Sequence, residues 1–459
     1  MMASSTVTPR AFAVWWKDVD RWSVNSFRAS SWQWPPHVIK KLAFALKRRC
    51  EPVDKATFDL RPEHFVKLPF TGEIEPRDLH GKVEFKGNLF FAQSGDIIYS
   101  KIDVRNGAIG IVPEKFPVIT VTTEFPVYQI KNDAALSEYI QLVFRTEHFR
   151  RIINGMVSGT SGRKRVQPDD IENVEIPLPT LEVQKAIVNL WLNAQVEIAK
   201  IRTKINEIES QLEQVFLDEI GIKVHAAKPR RGAFAIEWKN VERWDTFFYR
   251  NDFIDLEKMF LRIKHIPLGT AVRFISRNWK PSDFPNGFFE YIEISAVTKN
   301  EGIIGSRRVD IENAPSRATT LLKEGDIIIS TTRPYLGAFA VVPAQYDGCV
   351  CSSGFALADS VAHNDLDKDF LLFFLKTSAG LRQMERRMTG GLYPAIVQPE
   401  LEKVKIPIPS LKMQKEIMKR MAAGRIEIIR KREAVDRKTN EINAEIEALI
   451  LGSKALREK

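Results

Sequence analysis

The sequence predicts an α+β protein made of two similar halves in tandem. Each half is a globular domain with a mixed β core and helices, followed by one long helix. Three observations carry this. Blocks of sequence repeat in order: Trp16, Val19, Arg21, Trp22 and Arg28 return as Trp238, Val241, Arg243, Trp244 and Arg250, all offset by 222. GDIIYS at 95–100 returns as GDIIIS at 325–330, and IPLPTLEVQKAI at 176–187 as IPIPSLKMQKEI at 406–417, both offset by 230. Within each half, short β-branched and aromatic runs are broken by turn residues, and a heptad-patterned stretch follows.

The globular parts come first. LFFAQSGDIIYSKI, AIGIVP and FPVITVTTEFPVYQI read as strands in the first half; LKEGDIIISTT, GAFAVVP and SSGFALA read as strands in the second. SEYIQLVFRTEHFRRIIN and DKDFLLFFLKTSAGLRQMERRM read as helices. Prolines in the IPLP and IPIP blocks stop what precedes them, since proline fixes φ and lacks an N–H. Thr180 and Ser410 then stand as helix N-caps. The first long helix carries apolar residues at Ile187, Trp191, Ala194, Ile198, Ile201, Ile205, Ile208, Leu212 and Val215, alternating steps of four and three, and ends near Gly221. The second has Met421, Ile428, Val435, Ile442 and Leu449 seven apart, with a polar companion row of Lys431, Lys438 and Glu445. The boundaries that follow are 1–179, 180–221, 222–409 and 410–459.

The first helix carries four Lys/Arg against seven Asp/Glu, the second ten against seven. Opposite charge and two seams predict that the helices pack on each other as an antiparallel coiled coil. About 40 residues each gives roughly 60 Å. Antiparallel packing would relate the two domains by an approximate internal two-fold. B-DNA shares that local symmetry, with equivalent faces about 34 Å apart.

Composition narrows the function classes. Net charge is +10 and the pI is near 9.3, which favours a polyanionic partner. No apolar stretch approaches the ~20 residues of a membrane span, and the N-terminal apolar run is too short for a secretory signal. Cys50, Cys349 and Cys351 form neither a CxxC pair nor a His-flanked cluster, so reduced thiols in a cytoplasmic protein are expected. No GxxxxGK[ST] phosphate loop occurs. The Asn/Asp-Pro-Pro-aromatic motif of adenine methyltransferases is absent too; the one Pro-Pro, at Pro35 and Pro36, lacks both flanks. Asp169 and Asp170 stand before a helix-like segment and read as an N-cap, not paired catalytic carboxylates.

Two variable α+β domains, each closed by an IPLP/IPIP-x-x-x-x-QK-x-I block and followed by a long helix, resemble the specificity subunit of type I restriction-modification enzymes. The matching residues are 176–179 with Gln184 and Ile187, and 406–409 with Gln414 and Ile417. The GDI blocks at 95–97 and 325–327, with Gly107 and Gly337 beyond them, fit the same pattern. The resemblance implies two target-recognition domains, each reading half of a split double-stranded DNA target across a gap set by the coiled coil. It implies no catalytic activity in this chain. Two methyltransferase subunits would dock on it, and motor-nuclease subunits would join them. No cofactor is expected here; S-adenosylmethionine, ATP and Mg belong to those partners. Two alternatives stay open: the specificity subunit of another defence system with this architecture, and a coiled-coil scaffold without DNA specificity. An enzyme with degenerate motifs is a third class, disfavoured by the missing motifs.

Four loops carry residues suited to phosphates and base edges. The first is the basic run Arg163, Lys164 and Arg165, whose counterpart holds the aromatic Tyr393. The second holds Lys101, Arg105 and Asn106, with Arg333 and Tyr335 opposite. Arg can bond guanine bidentately and Asn adenine. The third is the Arg277 to Lys280 run, with Asn278 and Lys280 as contacts, in a region where the second half gains eight residues. The fourth is the repeated Trp/Arg segment. Its sameness in both halves favours a structural role over sequence reading. Gln184-Lys185 and Gln414-Lys415 are expected to pack at the helix starts.

Overall fold

The structure, a computed structural model, describes residues 32–77, 87–131, 133–156, 165–223, 237–238, 241–390 and 394–456. The chain divides into two units, one of Met1–Ile201 with Glu433–Lys459 and one of Arg202–Arg432. The division falls inside both long helices, Leu181–Glu219 and Leu411–Leu451.

In the first unit a four-stranded antiparallel sheet runs in the order Leu46–Arg49, Val127–Ile130, Ile97–Tyr99, Ile109–Ile111. The β-branched and aromatic residues of Ile97–Tyr99 are all buried, as a central strand requires. Leu89–Gln93 and Val118–Thr122 pair as a second layer. The strand Glu175–Pro177 pairs with Ile39–Lys41. Its proline then ends the ladder and the long helix begins at Leu181.

The second unit repeats that frame: Val272–Ile275, Phe355–Val361, Ile327–Ser330, Phe339–Val341, all antiparallel. Lys405–Pro407 pairs with His265–Pro267. Its second sheet is larger, in the order Arg307–Asp310, Phe288–Ile292, Val350–Ser352, Ala318–Leu321, and one pair in it is parallel. The mixed β core is as expected.

Both long helices run antiparallel. In the second unit Arg420 pairs with Glu219 (2.6 Å), Arg432 pairs with Glu209 (2.6 Å), and Leu212 packs against Gly424 between them. In the first unit Lys438 pairs with Glu197. The acidic helix supplies the carboxylates and the basic helix the cations. Met421, Ile428, Val435, Ile442 and Leu449 are all buried, as the seven-residue spacing requires. On the first helix Ile187, Ala194, Ile198 and Ile205 are buried. Val215 breaks the pattern at 44% exposure. Past Leu212 the helix leaves the seam, and Phe216, Leu217 and Ile220 enter the core of the second unit instead. Ser410 accepts from the Met413 N–H (3.3 Å) as an N-cap, and Gly221 ends the first helix at φ 78°.

Each unit is therefore completed by the end of the other half's helix. The first unit buries Ile446, Leu449 and Ile450 of the second helix. Trp34 Nε1 donates to the Ile450 carbonyl and the Gln33 N–H to that of Leu451 (2.8 and 2.7 Å). Glu447 accepts from the His148 N–H in the first turn of helix Glu147–Met156 (3.2 Å). Glu213 of the first helix does the same for Ser378 in helix Ser378–Arg387 (2.7 Å).

Candidate nucleic-acid interface

The GDI block builds the foundation. Asp96 and Asp326, both buried, each accept the N–H three residues back, from Gln93 and Lys323, at 2.8 Å. Each also meets an arginine: Arg49 at 3.1 Å and Arg277 at 2.5 Å. Burial pushes the Asp96 carboxyl up, with Arg49 opposing. Of the run from Arg277 to Lys280, Arg277 is thereby committed to the fold. Trp279 is too, packed on Phe284 and Phe289 and donating Nε1 to the Ala318 carbonyl (2.6 Å).

The central strand of each sheet then runs into a short 3-10 turn, Val104–Asn106 or Pro334–Leu336. The two turns share one frame. The Ser100 N–H donates to Ala108 and that of Ser330 to Ala338 (2.9 and 3.2 Å). Val104 and Pro334 point inward. Gly107 and Gly337 close the turns at φ 103° and 70°, a backbone region that costs other residues strain. Helix Glu147–Met156 packs behind the first turn and Ser378–Arg387 behind the second.

What differs is the display. The first turn shows half-buried Arg105 and exposed Asn106; the second shows Tyr335 at 39% and Leu336 at 55% exposure. Arg105 and Asn106 offer hydrogen bonds, whereas Tyr335 and Leu336 offer apolar and stacking surface. Leu336 escaped the sequence reading because a leucine at a turn carries no polar signal.

The structure brings two of the candidate loops together in each unit. The Val166 N–H donates to the Lys101 carbonyl, and the Ile396 N–H to that of Thr331, both at 2.8 Å. Lys101 is half-buried, and its N–H donates to Glu124. Arg165 pairs with Glu124 at 3.0 Å, so it is tied to the same corner. Arg163, Lys164 and Tyr393 lie outside the described residues. Arg333 has φ 48°, the one positive-φ non-glycine among the described residues, and its N–H donates to Pro394 (2.8 Å). That bond ties the second turn to the chain next to Tyr393.

Asn278 and Lys280 are both exposed and stand elsewhere, along the second sheet, where Asn278 bridges Thr320. The Lys280 N–H donates to Asp283 (2.7 Å).

The repeated Trp/Arg segment divides into two roles. Arg243 pairs with Glu400 (2.8 Å) and Arg250 with Asp252 and Glu385 (2.8 and 3.2 Å), a structural use. Trp238 and Trp244 are not structural in that sense; they are 77% and 85% exposed, with ring centroids 5.5 Å apart. Trp16, Arg21 and Trp22 lie outside the described residues. At the helix starts Gln184 and Gln414 are fully buried, while Lys185 and Lys415 are exposed. The N-cap of helix Pro168–Glu172 is Gln167 and not an aspartate; Asp169 and Asp170 lie in the first turn, where Asp170 accepts from the Gln167 N–H. Among the described residues no His/Cys/Asp/Glu group could hold a metal, and no helix is long and apolar enough to cross a membrane. Burial pushes the thiols of Cys349 and Cys351 up, to about 11 and about 12.

The same sheet, turn and backing helix recur in both halves, so the fold is that of a duplicated protein. Comparison with known proteins agrees. The model of the type I restriction modification DNA specificity domain matches residues 74–214 and 276–446. The chain belongs to that family and carries its domain twice.

The chain is similar to the specificity subunit of the type I restriction enzyme MjaVIII of Methanocaldococcus jannaschii, at 22% identity over 297 residues. That alignment covers 61% of this chain and 62% of the relative, under two thirds of its length. The putative MjaX specificity subunit of the same organism is 24% identical over 83% of this chain and 81% of its own. Among solved structures, the S subunit from M. genitalium is 13% identical, with a TM-score of 0.40 over 91% of this chain and 96% of that one. The HsdS subunit from Thermoanaerobacter tengcongensis gives 16% and 0.31 over 90% and 96%.

Proposed function

We propose that this chain is the non-catalytic, sequence-specific DNA-binding subunit of a cytoplasmic type I restriction-modification complex. Each domain reads one half of a split double-stranded target. The observation that carries this is the pair of 3-10 turns, placed alike on their sheets and different in display. Arg105 and Asn106 recognise base edges by hydrogen bonds, and Tyr335 and Leu336 recognise theirs by apolar contact. Lys101, Arg165 and Arg333 flank the turns, with Arg163, Lys164 and Tyr393 on the adjoining loops and Asn278 and Lys280 on a second approach. The net charge of +10 favours a phosphate backbone as partner.

The helices set the gap between half-sites and scaffold two methyltransferase subunits, which bring S-adenosylmethionine. Motor-nuclease subunits bring ATP and Mg. The test is long-read methylation mapping in cells that hold this chain with its methyltransferase, against cells that lack the chain. A split motif with adenine methylated on opposite strands, lost without the chain, is expected. No chain-dependent methylation would overturn the proposal.

A further inference from the structure

Helix Glu147–Met156 holds Arg150, a cation with no ion-pair partner among the described residues. Arg150 Nε is fully buried and has no hydrogen-bond partner, the one such side-chain nitrogen or oxygen among the described residues. A guanidinium carries five donors, and a buried donor left unmade is costly. The rest of the side chain is half-exposed. It lies at the foot of the first turn: a Cβ on Gly107 would sit 3.7 Å from Arg150 Nη2 and would collide with the Phe70 carbonyl. Gly107 closes the turn that displays Arg105 and Asn106.

Nearby charge leaves Arg150 unmatched. The neighbouring carboxylates are engaged: Glu73 with Arg145 (3.7 Å), Glu147 with Arg151 (3.4 Å) and Glu447 with the His148 N–H. Arg145 is itself held below its ordinary range, by burial first and by Arg150 as well.

The second unit lacks this cation. Thr146 and Thr377 make the same two bonds, donating to the carbonyl three residues back and accepting from the N–H three residues on. That alignment places Leu381 where the first unit has Arg150. Arg386 and Arg387 further along are tied to Glu257, Glu242 and Glu400.

We infer that Arg150 is a phosphate anchor: it grips a backbone phosphodiester of the first half-site while Arg105 and Asn106 read bases beside it. This rests on the DNA-reading assignment above. An oxyanion is the ligand class that takes both Nη groups of a guanidinium at once, the buried Nε being out of its reach. The grip carries no sequence information and serves register. It also makes the two half-sites unequal in their dependence on salt.

The experiment uses the full chain with its methyltransferase and a duplex bearing its methylated motif. Arg150→Met keeps the stem and removes the charge; Arg150→Lys keeps a charge. Affinity is measured across salt concentrations. For Arg150→Met the expected result is about a tenfold loss at low salt and a slope of log K on log salt shallower by about 0.9, one phosphate contact fewer. The methylated motif stays the same, and Arg150→Lys recovers most of the loss. Neutral methylphosphonate linkages in the first half-site abolish the difference between wild type and Arg150→Met; the same linkages in the second half-site do not. An unchanged slope, or a difference that survives neutral linkages in the first half-site, would overturn the anchor while the wild type still binds. A wild type that binds no duplex and directs no methylation would instead sink the DNA reading, and the anchor with it.

Discussion

Replacing Gln414 by alanine separates two residues that the sequence repeats together. Gln414 is fully buried. Its Oε1 accepts from the Asp367 N–H (2.9 Å), and its Nε2 donates to the Asp365 and Pro409 carbonyls (both 2.7 Å). It thus ties the start of the long helix to the loop that begins helix Lys368–Lys376. Alanine strands one N–H and loses a partner for two carbonyls. A stranded buried group costs about 1–3 kcal/mol, and a carbonyl tolerates the loss better, so the sum is about 3 kcal/mol. Lys415, the next residue, is exposed, and its alanine variant should fall within about 0.5 kcal/mol of wild type. Urea unfolding followed by circular dichroism measures both. Gln184 makes the matching bonds to Leu136, Ala134 and Pro179 (2.9, 3.2 and 2.8 Å), and Gln184→Ala should cost as much in the first unit. Equal midpoints for Gln414→Ala and Lys415→Ala would refute the assignment of the glutamine as a structural tie.

Two further outcomes test other parts of the structure. Burial, with Arg151 nearby, holds the His148 imidazole at about 4, below its usual 6.5. A base with a depressed folded pKa keeps its stability above pH 6.5 and loses it as pH falls toward 4. The full loss is about 3 kcal/mol in urea midpoints, and His148→Gln should flatten that dependence. Replacing Tyr335 and Leu336 together by the Arg and Asn of the first turn should change the second half of the methylated motif and spare the first; methylation mapping that returns the parental motif would remove the turns from recognition.

The frame was legible in the sequence because it obeys local rules. Heptad spacing located Met421, Ile428, Val435, Ile442 and Leu449, and every one is buried. The opposite charges of the helices foretold the Glu197–Lys438 and Glu209–Arg432 pairs. What stayed hidden was non-local. Val215 continues the heptad on paper, yet Phe216 and Leu217 take its place, because that turn packs on Phe370 and Phe373. Within the Arg277 to Lys280 run, the commitment of Arg277 to the fold depends on Asp326, 49 residues on, which no local pattern shows. Arg150 carries no signal in the sequence, since its lack of a partner among the described residues is a property of three dimensions. Repetition of the Trp/Arg segment favours a structural role, which Arg243 and Arg250 fill through ion pairs, but it carries no signal for the exposure of Trp238 and Trp244.

The reciprocal closure of the units yields a double dissociation. The first unit buries Ile446, Leu449 and Ile450, contributed by the second helix. At about 1.5–3 kcal/mol for each buried aliphatic residue, losing all three removes about 5–9 kcal/mol, comparable with the whole stability of a domain. Ending the chain at residue 444, or placing Ile450→Asp in the full chain, should therefore unfold the first unit. Residues 202–432 should stay folded, since their core draws instead on Phe216, Leu217 and Ile220. Phe216→Ala should do the reverse, costing the second unit about 3–5 kcal/mol and sparing the first. Limited proteolysis with mass spectrometry distinguishes the two: new cuts between residues 39 and 146 for the C-terminal variants, and between 265 and 390 for Phe216→Ala. Cuts spread alike over both units in every variant would refute reciprocal closure. If the dissociation holds, neither recognition domain can be formed from its own half of the sequence alone. A chain that folds one reader must then have made the helix of the other, so in a folded chain the two turns come as a pair.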